Sequence, residues 1–214
     1  MTTAAKTPDR GLIITGKFFV GFLLLLLTIF AVVRTIDMLT GNPAESILFE
    51  ARYFDHPVIA GMHMFFSIAF ILLAPFQFSK KIRTKHRRLH RNLGRVLLTF
   101  ATLSGIYGIA ALVALPVFGG LASEAASWFF GPLFLWCIGA GYIHARNKRF
   151  TQHREWMIRL YAIGLGVGTQ RFVLVLMQIA GEDFYEGFGP ALWLGFSINL
   201  LIAEVWINRT RRKK

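Results

Sequence analysis

The chain has 214 residues, is 55% hydrophobic with a mean hydropathy of +0.52, and carries 21 phenylalanines, which excludes an ordinary soluble domain of this length. Its net charge is +13, with 24 Lys/Arg against 11 Asp/Glu. The basic residues stand in short blocks between membrane-length apolar runs with no nucleic-acid motif beside them, so the charge speaks for a membrane orientation signal and against a nucleic-acid partner.

Six stretches reach the ~20 apolar residues that a helix needs to cross a bilayer. They lie near 12–33, 57–77, 95–116, 125–145, 156–180 and 187–207. The expected fold is a single all-α integral membrane domain over residues 1–214, a polytopic helical bundle held in the cell membrane. The apolar core of the first span, Phe18 to Val33, exceeds a signal-peptide core, and no small-residue cleavage site follows it. It reads as an uncleaved helix. Beyond it, Gly41-Asn42-Pro43 marks a turn, and Ala44 to Tyr53 has the composition of a short interfacial helix.

Spans two and three are separated by Lys80 to Arg95, KKIRTKHRRLHRNLGR, which holds eight Lys/Arg, His86, His90 and no acid. A second basic stretch, Arg146 to Arg159, separates spans four and five; it contains His153 and follows directly on His144. With these blocks and both termini on the cytoplasmic side, every Lys/Arg except Arg34, Arg52 and Arg171 falls inside or at that boundary. The positive-inside rule therefore expects both termini in the cytoplasm. Cys137, the single cysteine, lies in the fourth span, so there is no disulfide framework and no thiolate metal site. In the fifth span Gly164 and Gly168 have the G-x-x-x-G spacing of a close helix contact. Trp128, Trp156, Trp193 and Trp206 fall near span ends, as interfacial aromatics do.

Two sets of residues carry potential chemistry. The first is a cytoplasmic-side layer of His86, His90, His144 and His153. A bare divalent metal is disfavoured there, because the surrounding cations oppose a second positive charge and no carboxylate or thiolate offsets it. Anionic groups suit it better: lipid headgroups, or the propionates of a b-type haem whose iron the histidines ligate. Topology-setting residues lining the headgroup zone would look the same. The second set is His63 and Arg171. His63 lies ~9 Å and Arg171 ~15 Å below the outer surface at 1.5 Å per residue. An Arg at that depth costs a few kcal/mol and is expected to face the bundle interior beside a partner, for which Gln170, Asn199, Glu124 or a ligand head are candidates. We expect His63 and Arg171 to share one pocket. The rival is a structural Arg bonded to neighbouring helices.

The succession of His63, Pro75-Phe76-Gln77-Phe78, His90-Arg91-Asn92-Leu93-Gly94-Arg95, His153-Arg154-Glu155-Trp156-Met157-Ile158-Arg159-Leu160-Tyr161-Ala162 and Arg171 resembles the domain of unknown function 2306 family of bacterial multi-pass membrane proteins. The resemblance covers roughly residues 55–175. It implies a multi-helix fold in a bacterial inner membrane and brings no activity with it.

Three functional readings stay open: a membrane redox protein with b-type haem on the cytoplasmic side, a small-solute or lipid transporter, and a non-catalytic membrane subunit or assembly factor. No nucleophile–base pair or paired acids can be assembled from the sequence. The threading has a direct check. Reporter fusions after Lys214 and within 41–50 are expected to report opposite compartments, and the same compartment for both contradicts it.

Overall fold

The computed structural model describes residues 10–41, 53–115 and 117–211, and these are helical without a strand. The helices run α1 (Arg10–Thr40), α2 (Pro57–Gln77), α3 (Lys80–Lys85), α4 (Arg87–Ala114), α5 (Gly120–Arg146), α6 (Phe150–Ile179) and α7 (Phe184–Thr210). All except α3 are long and apolar enough to cross a membrane. The 27 to 31 residues of the longer ones correspond to ~40–46 Å, enough for the hydrocarbon layer and part of both headgroup zones. The short interfacial helix expected over 44–53 lies outside the described residues, Tyr53 excepted.

Local chemistry sets the boundaries. Pro57 opens α2, where a missing N–H costs nothing. Asp183 caps α7 by accepting the backbone N–H groups of Tyr185 at 2.8 Å and Glu186 at 3.2 Å. Gly181, at φ +94°, ends α6 in the left-handed conformation that a side chain rarely tolerates. The basic stretch after α2 is not one helix. The chain breaks at His86 (φ −120°, ψ 58°), whose carbonyl accepts the first bond of α4 from His90. His86 therefore stands at the junction as an exposed cap, and the helical face that its spacing with His90 suggested is not formed.

At the middle of the bundle is α6. Half of its most apolar window is buried, against 6% for α1 at the rim. Its partners are α7, most intimately, then α5, with α1 and α2 touching other faces. The glycines explain how. Gly164 faces Ile71 of α2 and Gly168 faces Leu23 and Leu27 of α1. The close backbone-to-backbone approach is elsewhere, between α6 and α7: a Cβ on Gly195 would stand 2.6 Å from both the carbonyl oxygen of Gly166 and the backbone nitrogen of Gln170. Gly164 and Gly168 thus receive side chains from two different helices, and the near-backbone contact belongs to Gly166 and Gly195. The spacing rule missed this because it sees one helix at a time.

The α5–α6 turn and the end of α7 lie at the same end of the bundle. Arg154 donates to Thr210 at 2.7 Å, and Arg211 makes a two-pronged pair with the buried Glu155 at 2.8 and 3.0 Å. Cys137 is a buried packing residue on α5.

Gly195→Ala places a methyl group against backbone that has no rotamer to yield. It is expected to lower stability by about 1–3 kcal/mol, the usual cost of overpacking, read as a fall in Tm of the detergent-purified protein. Gly139→Ala, where a Cβ meets nothing within 4 Å, is expected to leave Tm unchanged or raised.

Candidate functional site

In the half of the bundle remote from the basic turns, the helices line a partly open cavity of about 440 Å³. Its walls are largely aliphatic and aromatic side chains, among them Phe70, Phe130, Phe134 and Phe196. Phe130 stacks on Phe196 with centroids 4.5 Å apart, and Phe70 meets Phe134 edge to face at 6.1 Å. Also lining this space are His63 from α2, Arg34 from α1, and Gln170 and Arg171 from α6. His63 and Arg171, far apart in sequence, thus line one cavity.

His63 is held by its neighbours on α4. Its Nδ1 lies 2.9 Å from the carbonyl oxygen of Ser104. A carbonyl only accepts, so the ring proton is on Nδ1, and in the neutral imidazole Nε2 is a bare acceptor. Beneath it, the Ser67 hydroxyl donates to the His63 carbonyl at 2.6 Å and lies 2.7 Å from the Ser104 hydroxyl, which therefore donates to Ser67. These hydroxyls are occupied with one another. Gly108 leaves room for the ring: a Cβ there would stand 3.0 Å from His63 Cε1.

Gln170 is fully buried, and neither atom of its amide has a hydrogen-bond partner. It is therefore not the partner of Arg171 that the sequence offered. Asn199 is occupied differently: its Oδ1 accepts from Thr169 at 3.0 Å, and its Nδ2 is unpartnered. Glu124 is exposed. Arg171 is half-buried, with its guanidinium 5.4 Å from the ring centroid of Phe30 and 5.6 Å from that of Phe188, both within cation–π range. Arg34 sits over Tyr53 at 4.8 Å.

The other candidate set is at the basic end. His90, His144 and His153 are each half-buried, and His153 is within electrostatic reach of both of the others. His153 Nδ1 lies 2.9 Å from the Gly141 carbonyl oxygen, which fixes its tautomer as Ser104 fixes that of His63. The Nδ1 atoms of His90 and His144 are buried without a partner. His86 stands apart, exposed at the α3–α4 break. Among the described residues no group of three or more His, Cys, Asp or Glu side chains is placed to hold a metal ion.

Sequence reading did not single out Ser67, Ser104 or Gly108, and it offered Gln170 only as a partner for Arg171. Polar residues inside apolar spans were the available signal. Their meaning depends on which helices become neighbours, and periodicity does not reveal that.

No curated protein and no solved structure matches the chain. The family described as "Predicted membrane protein (DUF2306)" matches residues 60–207, which takes in α4 to α6 entire, nearly all of α2 and most of α7. With six helices long and apolar enough to span a bilayer and a family match over most of its length, this chain is a multi-pass membrane protein belonging to the DUF2306 family.

Proposed function

We propose that this protein binds an amphiphilic small molecule inside the membrane, as a lipid-handling protein or transporter, with the ligand's polar head beside His63 and Arg171 and its apolar tail along the aliphatic and phenylalanine walls. His63 carries the reading: with its Nδ1 engaged by Ser104, its Nε2 is a bare acceptor on the wall of a largely apolar cavity. An unmade hydrogen bond on a buried polar group costs about 1–3 kcal/mol. A ligand head that donates to it recovers that cost. Arg34 and Arg171 line the same space. The basic end faces the cytoplasm in this reading, which puts the cavity in the outer half of a bacterial inner membrane.

Native mass spectrometry of protein extracted in mild detergent tests it. The wild-type protein is expected to retain an amphiphile that Arg171→Leu and His63→Leu both lose. Because Gln170→Leu removes an unpaired buried amide and keeps most of its volume, its Tm is expected to be unchanged or higher. A structural role alone for Arg171 predicts a fall in Tm with the adduct retained.

A second reading, b-type haem at the basic end, is favoured by one observation: the two unpartnered Nδ1 atoms of His90 and His144 beside His153. Histidine pairs would ligate the iron, and the surrounding Lys/Arg would hold the propionates. Haem there would supply one-electron transfer. On this reading the reduced-minus-oxidised spectrum of the purified protein shows a Soret shift that His90→Ala or His144→Ala abolishes; a colourless preparation from haem-replete cells contradicts it.

A further inference from the structure

We propose that the amphiphile of the His63 cavity carries an aromatic hydroxyl, a hydroquinone-type head, and binds more tightly in its reduced than in its oxidised form. This rests on the cavity being a ligand site and names the class of head that it takes.

One acceptor on the cavity wall is without a protein partner: His63 Nε2, left bare because Ser104 takes the Nδ1 proton. Neither Ser67 nor Ser104 can supply it with a proton, since each hydroxyl already donates, to the His63 carbonyl and to Ser67 respectively. A fully ionised head, phosphate or carboxylate, offers acceptors alone. It would leave the neutral His63 ring facing oxygen lone pairs. A hydroxyl donates to His63 Nε2.

Phe70, Phe130, Phe134 and Phe196, packed against one another, line the cavity, an environment for a flat ring as well as for an isoprenoid tail. A ring that carries hydroxyls when reduced and carbonyls when oxidised changes from donor to pure acceptor at that boundary. The acceptor lone pair of His63 therefore discriminates between the two states. The ring is held in place from behind by Gly108, where even one methyl group would press on Cε1 and Nδ1 at 3.0 and 3.1 Å.

The test uses the full chain in detergent micelles and a short-tailed benzoquinone, offered oxidised in one arm and chemically reduced under argon in the other, with binding read by equilibrium dialysis. The reduced form is expected to bind about tenfold more tightly, the scale of one unmet buried hydrogen bond. His63→Leu is expected to bring the ratio of the two affinities to about one. Gly108→Ala, which keeps the imidazole but displaces it, is expected to lower the ratio and serves where His63→Leu fails to fold. Equal binding of the two forms by the wild-type protein overturns the proposal, as does an unchanged ratio in His63→Leu. A third arm offers a fatty acid and an anionic phospholipid. If either binds in an Arg171-dependent way and neither quinone form does, the hydroquinone assignment falls while the amphiphile site stands. If no probe in any arm binds, both fall.

Discussion

The contact on which the rest of the bundle depends is the one between α6 and α7. Lipid is as apolar as a leucine side chain, so helices in a bilayer gain little from burying apolar surface and must associate by close packing and hydrogen bonds. Gly195 removes the side chain that would keep the two backbones apart, Phe196 lies over Gly166, and Thr169 bonds Asn199 across the same seam. With α7 pressed against this side, α6 receives α1, α2 and α5 on the others. Gln170 belongs to this seam through its backbone and lies at the edge of the cavity, so the packing that holds the bundle together also fixes one wall of the site.

The two ends of the bundle solve opposite electrostatic problems. At the basic end, Glu155 and Glu204 each take a guanidinium in a two-pronged pair, with Arg211 and Arg159, and the remaining cations lie where headgroups or water solvate them. In the cavity half, aromatic faces stand beside the guanidinium groups: Phe30 and Phe188 flank Arg171, and Tyr53 lies under Arg34. A ring face is a mild partner for a cation.

Much of the architecture was legible in the sequence because a bilayer imposes it. Run length identified all six long helices, and the structure extends most of them by a few residues into the headgroup zones, where the pattern is no longer apolar. The boundary at His86 was not legible, since Lys, Arg and His are all acceptable in a helix and nothing in that stretch breaks one. The site was legible in part. Depth arithmetic put His63 and Arg171 in one layer, because rise per residue is fixed and both are anchored to span ends. The bond from His63 to Ser104 joins residues 41 apart, and the unmet amide of Gln170 depends on what fails to reach it. Facts of that kind exist only after the helices have chosen neighbours.

The position of α1 has a consequence for traffic. Among its described residues only Leu23 is fully buried, yet Leu27, Phe30 and Arg34 form one side of the cavity. The partition between the cavity and the surrounding lipid is therefore thinnest in packing terms along this helix. Swinging it outward uncovers apolar surface that meets acyl chains instead of water, so opening carries little of the hydrophobic penalty that the same motion has in a soluble protein. The residence time of any occupant is then governed by how firmly its head is held, with the α1 seam serving as a low sideways barrier directly into the bilayer.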